Sequence, residues 1–176
     1  MSEGRPRTHG RGAAGFTLIE ALVVLVLLGL AAAMITSAVQ GPRVRTELRA
    51  AARDLASFLT AARDLANERG QTVVVRWDAA SRLFVMVPDG ANTPLRTLAL
   101  PRGIVVTSVA WPTVNGYPSV ACDPLGRAVE GGTMATQPRA IELTAEAMQS
   151  GSVTPYEVYR VTVFPVWSAR TYRIRD

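Results

Sequence analysis

Between Glu3 and Glu47 the chain carries a single carboxylate, Glu20. It stands at the head of Ala21-Leu22-Val23-Val24-Leu25-Val26-Leu27-Leu28-Gly29-Leu30, an apolar run that continues through Ala31-Ala32-Ala33-Met34-Ile35. A carboxylate in such surroundings is costly to desolvate and calls for a cationic partner. The chemistry on offer is ion pairing in an apolar medium. A second set of chemistry-bearing residues lies at the other end of the chain. Arg160, Arg170, Arg173 and Arg175 can contact phosphates, and Tyr156, Trp167 and Tyr172 can stack on bases. The alternation in Tyr172-Arg173-Ile174-Arg175 also fits the solvated face of an edge strand.

No catalytic constellation is expected. The one histidine, His9, falls in the first fifteen residues, so Ser119, Ser150 and Ser152 have no imidazole to activate them. Asp89, Asp123, Glu130, Glu142 and Glu146 are scattered without the paired spacing of acid–base work. The chain has no lysine to complete a phosphate loop around Gly126, Gly131 and Gly132. Cys122 is the only cysteine, which rules out an intrachain disulfide; it reads as a small, partly buried residue, with an intermolecular bridge or a reactive thiol as the alternatives. No enzyme activity, metal or cofactor is expected.

The elements that position Glu20 follow from hydropathy. Phe16 to Val39 is long enough as a helix, at about 36 Å, to cross a bilayer. Arg5, Arg7 and Arg11 precede it, so the head of the chain stays on the cytoplasmic side and the bulk lies beyond the inner membrane. A basic head before an apolar run is an export signal. Ala31-Ala32-Ala33 could serve an ordinary secretory peptidase, but the helical pattern runs on to about residue 68. The net charge is +5, of which residues 1–15 hold +2, so the remainder is only mildly basic. Gly29 and Ala31 to Ala33 would permit close approach of another helix.

Gly41-Pro42 predicts a kink or local opening. Beyond it Leu48, Ala51, Leu55, Leu59, Ala62, Leu65 and Ala66 recur at helical spacing among charged residues, an amphipathic helix with one stripe to bury. Gly70 is placed to cap it. From Gln71 the period changes to that of strands. Thr72–Trp77 and Arg82–Val87 form a hairpin, and further strands are expected at 95–100, 104–110, 140–144, 156–164 and 168–175. With no crossover helices, the expected fold is α+β, an antiparallel sheet packed on the 48–66 stripe. Trp111 to Gln137, rich in proline and glycine, reads as a long loop that either is a solvated connection or carries a contact surface for other subunits or secreted cargo.

Gly15-Phe16-Thr17-Leu18-Ile19-Glu20 before the apolar run resembles the signature of the type IV pilin and pseudopilin superfamily. The resemblance implies a leader at 1–15 cut by a prepilin peptidase after Gly15, N-methylation of Phe16, and a role for Glu20 in assembly. Cleavage would create an amine at Phe16. Pairing between that amine and Glu20 of a neighbouring subunit would set axial register, while pairing within the chain, one turn away, is an alternative. The superfamily fold is a long N-terminal helix, here a transmembrane part at 16–39 and an amphipathic part at 40–70, packed on a β-sheet head, here 71–176.

Ala62-Arg63-Asp64-Leu65-Ala66 leading to Val73-Val74-Val75, with Asp123-Pro124-Leu125-Gly126-Arg127-Ala128 before Ala140-Ile141-Glu142-Leu143, is most similar to the H-type minor pseudopilins of type II secretion and the FimT-type minor pilins. The calcium site of a major pseudopilin is not matched, since Glu157 and Asp176 lie among arginines. The implied function is a non-catalytic subunit of a pseudopilus tip or initiation complex, partnered by other minor and major pseudopilins in the inner membrane, with its head in the periplasm. The alternative is a FimT-like minor pilin of pilus assembly or DNA uptake, in which Arg160, Arg170, Arg173 and Arg175 would meet nucleic acid.

Overall fold

The computed structural model describes the backbone of residues 17–151 and 156–175, and the side chains of these except 33–40 and 175. Two compact units are present, Met1–Val39 and Gln40–Asp176.

Helix α1 runs over Leu18–Arg69. Thr17 starts it: its carbonyl and its hydroxyl both accept from the Glu20 N–H, at 3.1 and 3.3 Å. This is the N-cap half of a capping box, and Thr17-Leu18-Ile19-Glu20 supplies its residue types. The helix continues through Pro42, so the interruption expected at Gly41-Pro42 does not occur in the secondary structure. Proline removes one donor, while the residues that follow are good helix formers with a stripe anchored in the core. Thr46 donates its hydroxyl to the Pro42 carbonyl at 2.8 Å. The end is a Schellman motif: Gly70 has φ +61°, its N–H bonds the Asn67 carbonyl, and the Gln71 N–H reaches back to Ala66.

Within Gln40–Asp176 the helix buries Leu48, Ala51, Ala52, Leu55, Phe58, Leu59, Ala62 and Ala66. Leu65, expected in the core, is only half-buried at its margin. Ala52 and Phe58 join the stripe because its width exceeds a strict three-four alternation.

The head has two antiparallel sheets where one was expected. The first holds β1 (Val73–Asp78), β2 (Leu83–Pro88), β3 (Arg96–Ala99), β5 (Thr113–Val114), β6 (Tyr117–Cys122), β7 (Ala128–Glu130) and β8 (Thr133–Met134), in the order β3-β2-β1-β6-β7-β8 with β5 on β6. The second holds β4 (Ile104–Val109), β9 (Arg139–Ala145), β10 (Glu157–Val163) and β11 (Ala169–Arg175), in the order β11-β10-β9-β4. A four-residue helix, α2, follows β9 at Glu146–Gln149.

The segment 111–137, expected as a loop, contains β5 to β8, and β6 sits at the centre of the first sheet beside β1. Its Pro118 and Ala121 are poor strand formers, so propensity hides a strand that pairing on both sides enforces. One core joins both sheets to the helix, from Leu48 to Trp167, with Val44 and Ala169 among the residues at its margins. All of it lies inside Gln40–Asp176, so this unit holds what it needs to fold without residues 1–39.

Candidate assembly segment and the surfaces of the head

Every described side chain from Thr17 to Ala32 is exposed, including Leu18, Leu22, Leu25 and Leu30. The segment is apolar on all sides, and an exposed helix of that composition is made for an apolar medium or for other apolar helices. Glu20 is its single charge. Its backbone is fixed by the Thr17 cap, so the carboxylate projects from the first turn of the helix. Gly15 and Phe16, the expected cleavage and methylation positions, lie outside the described residues. Among the described residues no helix is long and apolar enough to cross a membrane. The expected span at 16–39 includes Phe16, outside the described residues, and 33–39, whose side chains are not described.

The arginines near the C-terminus do not form one surface. In the β10–β11 register Arg160 faces Tyr172 and Thr162 faces Arg170, whereas Tyr159 faces Arg173 and Glu157 faces Arg175. Alternation therefore puts Arg160, Arg170 and Tyr172 on the outer face and Arg173 on the other. Arg160 is neutralised by Glu142, with bonds of 2.9 and 2.6 Å from its guanidinium. Arg170 lies over the Phe164 ring, 5.7 Å from its centre. Arg173 donates to Glu157, a carboxylate only 1% exposed that Arg45 of α1 also approaches at 3.7 Å. These side chains tie β11 and α1 to β10, a structural use of charge that depends on residues far apart in sequence.

Asp123-Pro124-Leu125-Gly126-Arg127 is a rigid turn. The Asp123 carboxylate accepts from the Leu125 and Arg127 N–H groups at 3.0 and 2.8 Å, and from the Arg127 Nε at 2.7 Å. Burial works against its charge, but these bonds and the arginine more than offset it and hold the carboxyl below the usual range. Gly126, at φ +73°, lies against the stem of Arg63, which a Cβ would meet at 3.4 Å. Its carbonyl accepts from the Trp167 N–H, and the Trp167 indole N–H donates to the Leu59 carbonyl at 2.6 Å. This turn locks the β10–β11 connection onto α1.

Cys122 is fully buried in β6, and burial pushes its thiol up to about 12, far from a reactive thiolate. Among the described residues no group of histidine, cysteine, aspartate or glutamate is placed to hold a metal.

The outer face of the first sheet carries a groove of about 650 Å³. Val74, Ala121, Val129 and Met134 are among its lining residues, with Pro112 and Val114. Exposed Val114, Tyr117 and Met134 gather at or beside it.

Two family models match the sequence. One, described as the prokaryotic N-terminal methylation motif, covers residues 10–36. The other, described as Type II transport protein GspH, covers residues 51–165. No curated protein matches. Among solved structures, the type IV minor pilin FimU of Pseudomonas aeruginosa strain PAO1 is similar in two crystal forms. In one the TM-score is 0.54 at 14% identity, over 73% of this chain and 90% of that chain. In the other it is 0.51 at 12% identity, over 71% and 92%. The minor pseudopilin EpsH from the Type 2 Secretion System of Vibrio cholerae aligns with a TM-score of 0.49 at 15% identity, over 72% and 96%. At these identities the FimU likeness is one of fold, a helix packed on antiparallel sheets.

Proposed function

Since the chain belongs to the Type II transport protein GspH family and carries the N-terminal methylation motif of pilin-like proteins, we propose that it is a minor pseudopilin of a type II secretion system. In this reading it is a non-catalytic subunit of the pseudopilus tip or initiation complex. A prepilin peptidase removes residues 1–15, Phe16 is methylated, and residues 16–39 anchor the chain in the inner membrane with the head in the periplasm. Its partners are other minor and major pseudopilins, and secreted cargo meets the head. Its work is mechanical.

The observation that carries the reading is Glu20, the lone charge among residues 17–32, all of which are exposed. An unpaired carboxylate in an apolar bundle costs several kcal/mol, on the order of 3–5 when a buried pair is broken. An amine at Phe16 of a neighbouring subunit relieves that cost at one axial register and at no other. Intact-mass measurement of the protein from its native membrane tests the processing: loss of residues 1–15 and gain of one methyl are expected. An intact leader, or an end at Ala32 or Ala33, would overturn it. Recovery of Phe16-headed protein in complex with other pseudopilins tests the assembly.

A second reading, a minor type IV pilin of pilus assembly or DNA uptake, is favoured by one observation: Arg160, Arg170 and Tyr172 share the outer face of β10–β11. Duplex DNA titrated against the fragment 40–176 separates the two. Under the secretion reading no salt-sensitive binding is expected. Tight binding that weakens with salt and is lost in Arg160→Ala/Arg170→Ala would favour the second.

A further inference from the structure

The register of the first sheet lines up one residue from each of four strands on its outer face. Val74 of β1 pairs with Ala121 of β6, Ala121 with Val129 of β7, and Val129 with Met134 of β8. Each is apolar, and together they floor the groove of about 650 Å³. Their counterparts on the inner face, Val75, Val120, Cys122 and Ala128, are in the core. The sheet is therefore apolar on both sides at this level, and folding uses only one of them. At an interstrand spacing of roughly 4.8 Å, the row is about 14 Å long and runs across the strands.

Two features specify the occupant. First, the floor offers no backbone hydrogen bonds, because β1, β6 and β7 are each paired on both sides. An extended peptide laid across the strands would leave its own N–H and C=O groups unpaired against an apolar surface, which is unfavourable. A helix satisfies its backbone internally and shows only side chains. About ten residues of helix, nearly three turns, cover the row, with apolar anchors at i, i+3 or i+4, and i+7. Second, the charges at the rim are not balanced toward a guest. Arg127 is engaged by Asp123, and Glu130 by Arg139. Asp89, exposed at the β1 end where its N–H bonds the Thr72 carbonyl, has no side-chain partner among the described residues. The unanswered charge at the mouth is negative.

We propose that this groove is a docking site for a short amphipathic helix of another protein, with an apolar stripe over the Val74–Met134 row and a lysine or arginine at the end that meets Asp89. The α1 helix of a second copy does not qualify: its 48–66 stripe is in the core, and its exposed residues 17–32 carry no cation to meet Asp89. The site stands on the head alone and is independent of the processing and register of the N-terminal segment.

The test uses the unit 40–176 and three fluorescent ten- to fourteen-residue probes. One is a leucine–lysine peptide with leucines at i, i+3, i+4 and i+7. One is the same composition scrambled. One has glutamate in place of lysine. Anisotropy titration should give saturable, micromolar binding of the first and at least tenfold weaker binding of the other two. Val114→Ser/Met134→Ser, both at exposed positions, should weaken the first at least tenfold with the unfolding midpoint retained. Asp89→Lys should weaken it several-fold and improve binding of the glutamate peptide. Failure of the patterned peptide to saturate, equal binding of the scrambled peptide, or indifference to the folded groove variants would overturn the proposal. So would binding of small apolar molecules alone, displaced by no peptide.

Discussion

Residues 18–32 and 48–66 belong to one helix, yet their side chains meet opposite surroundings. In the first stretch leucine and valine occupy every face and all described side chains are exposed. In the second the apolar residues keep to one stripe, and Leu48, Leu55 and Leu59 are wholly buried while Arg49, Arg53 and Asp54 face outward. A helix buried along one side needs one apolar stripe. A helix apolar all round is stabilised by what surrounds it and not by its own chain. Mutations in the first stretch should therefore be felt in assembly, and mutations in the second in folding.

The largest effect is expected in the second stretch. Leu55→Ala or Leu59→Ala should each cost about 2–5 kcal/mol in denaturant unfolding of the unit 40–176, because each removes a fully buried side chain. Leu65→Ala, at the margin, should cost less. Midpoints within error of wild type for both buried leucines would erase the distinction between the stretches.

Trp167→Phe probes how the head grips that stripe. It removes the indole N–H that donates to the Leu59 carbonyl in a buried setting, and about 1–3 kcal/mol should be lost. An unchanged midpoint would mean that the ring, and not the bond, does the holding.

Asp123→Asn should have a smaller effect that depends on pH. The folded carboxyl sits below its ordinary value of 3.8, so the unfolded chain takes up the proton first as pH falls. Its contribution is present in full above the ordinary value and is lost as pH drops through the folded one. The wild-type unfolding midpoint should therefore approach that of Asp123→Asn below about pH 4 and exceed it at pH 7. A constant difference across that range would assign the effect to shape instead of charge.

The smallest effect on the head belongs to the first stretch. Glu20→Ala and Leu25→Ala should leave the unfolding midpoint of the head unchanged, since neither lies in its core. Glu20→Ala should nonetheless reduce incorporation beside partner subunits. A shifted head midpoint, or intact incorporation, would remove the basis for reading Glu20 as the register charge.

Much of this organisation is legible in single residues. Leu48, Leu55 and Leu59 announce the stripe by spacing, Gly70 announces the helix end, and the valines of 73–75 announce the first strand. The outer positions of β10 and β11 follow from alternation once the strands are drawn. What escapes is the part of the first sheet beyond β1, β2 and β3, the strands between Thr113 and Met134. Tyr117-Pro118-Ser119-Val120-Ala121-Cys122 has neither the composition nor the alternation of a strand, and the turn residues around it suggest a loop. Only its pairing with β1 and β7 makes it one.

The sequence by itself determined what depends on local spacing and on hydropathy: the apolar first stretch, the amphipathic second stretch, its end at Gly70 and the pilin-like signature. Tertiary structure alone decided what depends on which distant residues become neighbours. It divided the strands into two sheets, spread Arg160, Arg170 and Arg173 over opposite faces, buried Glu157 between Arg45 and Arg173, and aligned Val74, Ala121, Val129 and Met134 into one groove. The physical reason is that helix periodicity is written within a few residues, whereas sheet register is set by long-range pairing, and a shift of one residue would send every side chain of a strand to the other face.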